Sequence, residues 1–327
     1  MRLAADHVRV TVPATSANLG PGYDALGLAL DLRDELEVFA LASDEVRVEV
    51  LGEGAGEVPT DERHLVARAV RIGLDHVGAS QVGLHLVCRN AIPHGRGLGS
   101  SAAAVVAGLF AARGLIADPA LLDDATVLDL ATQVEGHPDN AAPAILGGAT
   151  VAWSPAGDGA VDDRSGLVAR AERLPVHEQV DPLVLVPRER LSTHRARGVL
   201  PSVVPHEDAA FNVARAALLV AALGSRPDLL LEATADRLHQ GYRAEVMRAS
   251  ADLVAGLRTA GLAAVVSGAG PTVLVLGTRD ERERQDEVLR TVLGLPDADG
   301  ARRGWHVLRP GIARDGATVD RLGAPRP

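Results

Sequence analysis

Residues 93–103, which read PHGRGLGSSAA, are the stretch of this 327-residue chain that decides its fold. Glycines at 95, 97 and 99 let the backbone approach a ligand closely, and the run of Ala and Val that follows predicts a helix beginning at Ser100. The free N–H groups at a helix start carry partial positive charge and attract anions. The stretch therefore predicts an anion site, although a tight turn capped by serine would have a similar sequence.

The charge and composition of the chain exclude several kinds of binding site. The net charge is -10, which argues against general binding to nucleic acid or to an anionic membrane. All 33 basic residues are Arg, so neither a Walker A loop nor the strand lysine of a protein kinase is present. A small anionic substrate would need a local pocket of arginines. At 47% hydrophobic residues, the chain is long enough for two domains, each with its own core.

The expected location is a reducing cytoplasm. Cys88 is the one cysteine, and its apolar surroundings, QVGLHLVC, favour a buried structural thiol. The first residues contain no apolar signal core, and the longest apolar run, residues 102–112, is too short to cross a bilayer. No membrane partner is expected.

Hydrophobic periodicity predicts a mixture of strands and helices, which is typical of an α+β protein. A strand over residues 7–12 precedes a long loop over 13–27, and a loop of that length suggests binding. The polar, Gly-rich stretch at 154–166 is the predicted boundary between domains at 1–160 and 161–327. The other predicted segments are strands at 32–40, 45–50, 81–88, 147–153, 167–175, 182–187, 262–266, 273–277 and 304–309, a loop at 191–201, and helices at 64–78, 120–136, across 207–260 and at 279–293.

Three Gly-rich segments together are more specific than any one of them. Residues 13–30 read PATSANLGPGYDALGLAL, and residues 267–272 read SGAGPT. With residues 93–103 they resemble, in order and separation, the three motifs of the GHMP kinases, a family of ATP-dependent small-molecule kinases. The resemblance extends from about residue 8 to about residue 310, and the first motif is most similar to that of the homoserine kinase branch.

The resemblance implies a two-domain α+β fold, with an N-terminal domain like domain 2 of ribosomal protein S5 and a ferredoxin-like C-terminal domain. It also implies that ATP and Mg²⁺ bind between the domains. Mg²⁺ prefers oxygen ligands and usually takes one or two carboxylates with phosphate oxygens. The implied metal ligands are Glu135 and Ser101, with Ser100 as the alternative hydroxyl. The implied nucleotide residues are Pro93, His94, Gly95, Arg96, Gly97, Leu98, Gly99, Ser100, Ser101, Ala102, Ala103, Gly268, Gly270 and Thr272.

The substrate implied by the resemblance is L-homoserine, a zwitterion whose hydroxyl would be phosphorylated to give O-phospho-L-homoserine. Arg197 and Arg243 would bind its carboxylate, because a guanidinium matches a carboxylate with two hydrogen bonds. Asp24 would bind its ammonium group. The other implied substrate residues are Asn18, His137, Asn140 and Thr193. Singly, Asp24 and Asn140 could instead hold loops through side-chain hydrogen bonds.

The implied catalytic residues are Asn140, Glu135 and Arg197. Asn140 stands where other branches of the family have an Asp that can act as a base, and an amide cannot accept the substrate proton. We therefore expect direct attack of the hydroxyl on the γ-phosphorus, assisted by positioning and charge neutralisation. The neighbouring Asp139 remains an alternative base.

Two other functions remain open at the level of sequence. One is a GHMP kinase that acts on another small alcohol, and the other is a catalytically silent relative that binds a ligand or a partner as a regulator. The arginine pair argues against the first, and the intact loop and Glu135 argue against the second. A homodimer is common among members of the family. His64, where an Asn is usual, and Gly241, where a Pro is usual, depart from the family pattern.

Overall fold

The computed structural model describes residues 2–155, 168–296 and 300–322, and these contain two β-sheets with helices packed against them. The strands are β1 His7–Ala17, β2 Leu26–Leu41, β3 Val46–Gly52, β4 Gly83–Asn90, β5 Ala149–Trp153, β6 Arg170–Leu174, β7 Val180–Pro187, β8 Ala263–Val266, β9 Val273–Thr278, β10 Trp305–Leu308 and β11 Thr318–Arg321. The helices are α1 Leu65–His76, α2 Ser100–Leu115, α3 Asp124–Glu135, α4 Ala141–Leu146, α5 Thr193–Gly198, α6 His206–Gly224, α7 Leu230–Ala233, α8 Gln240–Arg243, α9 Arg248–Thr259 and α10 Arg282–Leu293.

The first sheet has seven strands within the described residues and carries α1 to α4. Its order is β11-β1-β2-β4-β3, and β5 and β6 extend it from β2. β3 and β4 pair parallel, and the other neighbours pair antiparallel. Val8, Val10 and Val12 alternate along β1 and are all buried. This alternation fixes which face of the sheet receives the helices.

Helix α2 lies at the centre of the first domain and packs against α1, α3, α4 and β1. Ala, Val, Leu and Phe on almost every side of it are buried, as expected of a helix that is apolar all round. Gly108 allows a close approach to α1, since a Cβ there would lie 2.6 Å from the carbonyl oxygen of Val66. The buried core thus fixes the N-terminus of α2 in position.

The second sheet has the order β10-β7-β9-β8 and is antiparallel. Leucines from α9 and α10 form one cluster with Leu183, Val273 and Val275 from the sheet. With α9 and α10 packed on this second sheet, the expected two-domain α+β fold is confirmed. Cys88 is buried with a pKa raised to about 12 by burial, so the predicted structural thiol is also confirmed.

Several expectations about the elements are wrong. The loop predicted over 13–27 is shorter, because β1 continues to Ala17 and pairs with the start of β2 across an irregularity at Pro13. The loop predicted at 191–201 contains α5, which Ser192 caps by accepting from the N–H of Arg195. The long helices across 207–260 are divided into α6, α7, α8 and α9.

The domain boundary at residues 160 and 161 lies outside the described residues. The two sheets do not divide at that point in the sequence, because β6 pairs with β5 and β11 pairs with β1. Both strands follow residue 160, and both belong to the first sheet. The chain therefore leaves the first sheet after β6, builds the second sheet, and returns to the first at its end.

Candidate active site

The N-terminus of α2 opens into a cavity between the two sheets. Gly99 is the N-cap residue in a left-handed conformation, with φ 68°, and it provides no side-chain cap. The helix begins at Ser100 as predicted, and serine does not cap it. Without a capping side chain, the first N–H groups of α2 remain available to an anion.

The three Gly-rich motifs meet at this helix start. Gly97 has φ 78°, and a Cβ there would lie 2.3 Å from the carbonyl oxygen of Ser267. A Cβ at Gly99 would lie 2.0 Å from the Oγ1 of Thr15. The hydroxyl of Ser267 donates to the carbonyl of Gly97 over 2.6 Å. Glycine is thus required because the first and third motifs pack directly against the second.

The cavity has a volume of about 310 Å³, and most of the residues expected at the site line it. These are Asn18, Gly95, Gly97, Gly99, Ser100, Ser101, Ala102, Glu135, His137, Asn140, Thr193, Arg197, Arg243, Gly268 and Gly270. The helix start lies on one wall and the two arginines lie on another. One cavity therefore offers contacts for a phosphate and for a carboxylate.

Ser101 and Glu135 form a pair of oxygen ligands beside the helix start. The Ser101 hydroxyl donates to Glu135 Oε1 over 2.6 Å. Burial raises the pKa of Glu135, and the bond from Ser101 opposes that effect. Glu135 ends α3, where a carboxylate also meets the negative end of the helix dipole. A nearby cation would stabilise this carboxylate.

Asp139 is buried, and its carboxylate is bonded to neighbouring side chains. Its Oδ1 lies 2.6 Å from His137 Nδ1 and accepts from the Asn140 amide over 3.3 Å. Burial acts to lower the pKa of His137, but the bond to Asp139 and its charge raise it above the ordinary value. The Oδ1 of Asn140 accepts from the hydroxyl of Thr15 over 2.9 Å. Asp139 therefore orients the His137 ring and the Asn140 amide.

Arg197 lies in the wall of the cavity and binds Asp24. Its Nη2 donates to Asp24 Oδ1 over 2.6 Å, and its Nη1 donates to Asp24 Oδ2 over 3.1 Å and to the Tyr23 hydroxyl over 3.0 Å. Both charged side chains are about one third exposed. Asp24 itself has φ 55°, and it contacts the cavity through Arg197 without lining it. The two opposite charges required for a zwitterion are thus side by side.

Arg243 is a buried cation with no carboxylate partner among the described residues. Its guanidinium donates to the carbonyls of Ala196 and Gly268 and lies 3.1 Å from His239 Nδ1. Burial lowers the pKa of Arg243, so an incoming carboxylate would stabilise its charged form. Asn18 donates to the same Gly268 carbonyl over 2.9 Å.

Several residues expected at the nucleotide do not line this cavity. The Arg96 guanidinium donates to the carbonyls of Pro187, His94 and Arg188, so it is directed away from the helix start. Leu98 is buried in the core. The other expected residues outside the cavity wall are Pro93, His94, Ala103 and Thr272, of which His94 and Ala103 line a neighbouring cavity.

The sequence did not single out several residues of the site. Ala17, Val134, Leu191 and Ala269 complete the wall, and each is a small or aliphatic residue next to a recognised motif residue. The neighbouring cavity, about 300 Å³, is lined mainly by aliphatic side chains and shares Ser100 and Ser101 with the first. The position of this second cavity depends on strand pairing, which the sequence motifs do not predict.

Comparison with known proteins identifies the family. The profile of the GHMP kinases N terminal domain matches residues 64–148, and that of the GHMP kinases C terminal domain matches residues 207–293. A homoserine kinase from Leifsonia xyli subsp. xyli is 49% identical over 98% of this chain and 94% of its own length. A homoserine kinase from Streptomyces coelicolor is 49% identical over 95% and 94%. The chain belongs to the homoserine kinase family of GHMP kinases.

The solved structure of a homoserine kinase from Cytophaga hutchinsonii agrees with this family membership. It superposes on this GHMP kinase with a TM-score of 0.77 and 25% identity, covering 96% of this chain and 98% of its own. The resemblance and the fold inferred from the three motifs are confirmed. As a member of this kinase family, the protein uses ATP. Among the described residues, no helix combines the length and apolar character needed to span a membrane.

Proposed function

We propose that this protein transfers the γ-phosphoryl group of ATP to the hydroxyl of L-homoserine, giving O-phospho-L-homoserine and ADP. The observation that carries the proposal is the composition of the cavity, which has an uncapped helix start on one wall and the Arg197–Asp24 pair with Arg243 on another. A phosphate matches the first wall, and a zwitterionic amino acid matches the second. The site therefore accommodates both reactants of one transfer.

Substrate recognition rests on charge. Arg197 and Arg243 would share the carboxylate, and Asp24 would take the ammonium group. Asn18, His137 and Thr193 would surround the rest of the molecule. A galactose or a mevalonate lacks the ammonium group, so neither would engage Asp24. The buried cation of Arg243 favours acceptors that carry a carboxylate.

The donor end would hold Mg²⁺ through Ser101 and Glu135. A hydroxyl and a carboxylate oxygen in contact, beside a helix start that attracts phosphate, fit the preference of this ion for hard oxygen ligands. When bound, the ion would neutralise charge on the phosphates. The peptide N–H groups at the start of α2 would hold the phosphate chain in place. Gly268 and Gly270 would keep the third motif close to that chain.

Catalysis would come from positioning, with no side chain acting as general base. The Asn140 amide cannot accept a proton, and Asp139 is buried and bonded to His137 and Asn140. A loose transfer transition state places little demand on removal of the hydroxyl proton before attack. Loss of turnover in Asp139→Asn with both substrate affinities intact would contradict this account.

The direct test is phosphate transfer from ATP to homoserine, mevalonate, galactose and shikimate, measured as ADP release with each acceptor. We expect homoserine to be preferred by orders of magnitude in kcat/KM. 4-Hydroxybutyrate and 3-aminopropanol, which each carry one of the two charges, separate the contributions of Asp24 and the arginines. A preference for another acceptor would overturn the proposed substrate, and inactivity with all of them would overturn the proposed function.

The role of Glu135 has its own test. Glu135→Gln removes the carboxylate and keeps the shape, so we expect kcat to fall by roughly a hundredfold or more because phosphate charge is no longer neutralised. The dependence of the rate on Mg²⁺ concentration is the measurement. Glu178→Gln, which changes an exposed acid outside this cavity, is the control. An unchanged rate and Mg²⁺ dependence in Glu135→Gln would remove Glu135 from the mechanism.

We also propose a cytoplasmic location and a homodimer. The one cysteine, Cys88, is a buried thiol, which suits a reducing compartment. Val203, before α6, and Val213, on α6, are exposed apolar side chains of the kind that a subunit interface covers. Cell fractionation tests the first proposal. Sedimentation equilibrium tests the second, and a monomer over the micromolar range would contradict it.

A further inference from the structure

A buried histidine contacts one of the two arginines in the cavity wall. His239 is fully buried and is the N-cap residue of α8, and Arg243 ends the same short helix. Because they are four residues apart, their side chains lie on one face of the helix. Arg243 lines the cavity, whereas His239 does not. Any effect of the histidine on a bound substrate must therefore be indirect.

The hydrogen bonds of His239 permit one form of its ring. Nε2 lies 2.7 Å from the carbonyl oxygen of Gly20, and Nδ1 lies 3.1 Å from Nη1 of Arg243. A carbonyl oxygen can only accept and a guanidinium can only donate, so Nε2 carries the proton and Nδ1 accepts. Burial lowers the pKa of His239, which agrees with a neutral ring. A proton on Nδ1 would set two donors against each other.

The same contacts decide which end of the Arg243 guanidinium faces the cavity. Nη1 donates to His239 and, over 3.1 Å, to the carbonyl of Gly268. Nε donates to the carbonyl of Ala196 over 3.2 Å. These bonds use every N–H of Nε and Nη1. Among the residues that the structure describes, Nη2 has no hydrogen-bond partner, so it is the end of Arg243 that remains for a carboxylate.

Tyr23 closes the other side of this arrangement. Its ring centroid lies 5.3 Å from that of His239 and 5.6 Å from Cζ of Arg243. Its hydroxyl accepts from Arg197 over 3.0 Å. Within residues 2–155, 168–296 and 300–322, His239 is therefore the one side chain that accepts a hydrogen bond from Arg243.

The histidine is itself held in place from two directions. The buried carboxylate of Asp236 accepts from the backbone N–H groups of His239 and Gln240 over 3.1 and 2.8 Å. Gly20, which accepts from the ring, is packed against the residue after α7, since a Cβ there would lie 2.5 Å from the carbonyl oxygen of Thr234. A ring fixed at both ends can fix the orientation of the group that it contacts.

We propose that His239 is a positioning residue, which holds the Arg243 guanidinium with its Nη2 amino group directed at the carboxylate of the acceptor substrate. The inference rests on the proposed function, in which Arg243 binds that carboxylate. Without the Nδ1 acceptor, one N–H of Nη1 would be buried without a partner, which is costly, so the guanidinium would turn towards another acceptor. The loss of affinity should fall on ligands that carry a carboxylate and spare those that lack one.

Two amide variants separate the two hydrogen bonds of the ring. His239→Asn places an amide oxygen near the position of Nδ1, where it can accept from Arg243, and His239→Gln places an amide nitrogen near that of Nε2, where it can donate to Gly20. We expect His239→Gln to raise the KM for homoserine roughly tenfold, to lower kcat less, and to leave the KM for ATP unchanged. His239→Asn should keep most of the wild-type affinity. His177→Gln is the control and should change none of these values, because His177 lies outside this cavity and its Nδ1 accepts from the N–H of Gln179.

The preference for homoserine over 3-aminopropanol, which lacks the carboxylate, is a readout that a merely structural role would not change. Calorimetric titration of each ligand measures this preference without phosphoryl transfer. His239→Gln should lower it about tenfold, and it should lower it no further in a protein that already carries Arg243→Met. Equal weakening of both ligands by His239→Gln, or the same loss of preference with and without Arg243, would overturn the inference. So would a loss in His239→Asn as large as that in His239→Gln.

A measurement on the wild-type protein does not depend on whether the variants fold. Nitrogen NMR of the His239 ring should show the neutral form with its proton on Nε2, and a proton on Nδ1 at neutral pH would overturn the inference. A protein that phosphorylates homoserine but shows no coupling between His239 and Arg243 would overturn this inference alone. Coupling in the titrations, together with phosphate transfer to no acceptor, would overturn the proposed function alone.

Discussion

Asp24 and Arg197 carry opposite charges at the substrate end of the cavity and bind each other with two hydrogen bonds. A zwitterionic amino acid would replace this internal pair with two external ones, ammonium to Asp24 and carboxylate to Arg197. A ligand with only one of the two charges would break the pair and leave one member unsatisfied, which is costly for a partly buried charge. This arrangement explains selectivity for zwitterions at the level of single residues.

Asp24→Asn should raise the KM for homoserine by roughly ten- to a hundredfold, the cost of losing a hydrogen bond to a charged group. The KM for ATP should change little, because Asp24 is not at the helix start. Steady-state kinetics with each substrate varied in turn is the measurement. Asp228→Asn removes the acid of another two-bond Arg–Asp pair, one exposed outside the cavity, and should change neither KM. An unchanged KM for homoserine in Asp24→Asn would contradict the assigned role.

Asp34 should make stability depend on pH. Its folded pKa, about 6, is above the ordinary 3.8 because burial disfavours the carboxylate, so between these values the folded protein binds more protons than the unfolded chain. The contribution of Asp34 is fully present below about pH 4 and is lost as pH rises through 6. The free energy of unfolding of Asp34→Asn, relative to wild type, should rise from pH 4 to pH 7 by up to about 3 kcal/mol. Urea denaturation at a series of pH values measures it, and parallel curves for the two proteins would refute it.

The sequence predicted which residues belong to the site better than it predicted where their side chains are directed. Glu135 and Arg197 line the cavity as their motifs implied. Arg96 does not, because carbonyls of Pro187 and Arg188, distant in sequence, accept its hydrogen bonds. Asp34 was not recognised, because its partners Ala91 and Ile92 directly follow β4 and are brought to it only by the pairing of β2 with β4. Partners set by tertiary packing are not visible in a local pattern.

At the level of elements, the phosphate loop, residues 93–101, is the point where three segments distant in sequence meet. They pack so closely there that Gly97 and Gly99 have no room for a side chain. Gly97→Ala adds a left-handed strain of about 1–2 kcal/mol and a Cβ that would lie 2.3 Å from Ser267, so the loop must move away from the third motif. We expect kcat/KM for ATP to fall by about a hundredfold or more, because phosphate contacts depend on sub-ångström placement.

Gly304→Ala is the control for this prediction. Gly304 also has a positive φ, 84°, but no atom lies within 4 Å of where its Cβ would be. Gly304→Ala therefore imposes the backbone strain without the collision. It should lower the midpoint of thermal unfolding slightly and leave kcat/KM for ATP unchanged. Equal kinetic losses in Gly97→Ala and Gly304→Ala would show that strain, and not packing against the third motif, is responsible.

The sequence predicted the boundaries of strands and helices correctly where hydrophobic periodicity was strong. The prediction was wrong where residues typical of turns lie inside a strand. Pro13 and Ser16 belong to β1, although Pro and Ser usually indicate loops. Pairing with Gly27–Leu30 of β2 stabilises this end of β1. The glycines and asparagine that follow do form the sharp turn, in which Asn18 and Leu19 have positive φ. The first motif is thus half strand and half turn.

At the scale of the whole molecule, the two sheets are joined by segments that return to the first sheet. Arg321 of β11 donates to the carbonyls of Gly114 and Ile116 at the end of α2. A Cβ at Gly114 would touch Val319 and Val8, so the last strand packs tightly on the central helix. Hydrophobic periodicity predicted β6 as the strand at 167–175, whereas β11 was not predicted. The sequence did not indicate which sheet either strand joins, since pairing partners are distant in sequence.

Arg96 joins the phosphate loop to the second domain through the backbone carbonyls of Pro187 and Arg188, and it also donates to the carbonyl of His94 within the loop. Arg96→Met should therefore lower the free energy of unfolding by about 2 kcal/mol, because charged donors are lost and carbonyls are left without partners. It should also reduce nucleotide affinity by moving the loop. The loss of affinity should be similar for ATP and AMP, since the Arg96 guanidinium does not line the cavity at the start of α2.

A guanidinium in direct contact with the β- and γ-phosphates would give the opposite result, with ATP affinity reduced far more than AMP affinity and stability little changed. Calorimetric titration of both nucleotides, with chemical denaturation of the same samples, distinguishes the two. Arg190→Met is the matched control, because Arg190 contacts Glu57 and the same loop at Gly95 but donates to none of these carbonyls. If Arg190→Met costs as much stability as Arg96→Met, the bonds to Pro187 and Arg188 are not what holds the loop to the second domain, and loss of any arginine at this junction would suffice.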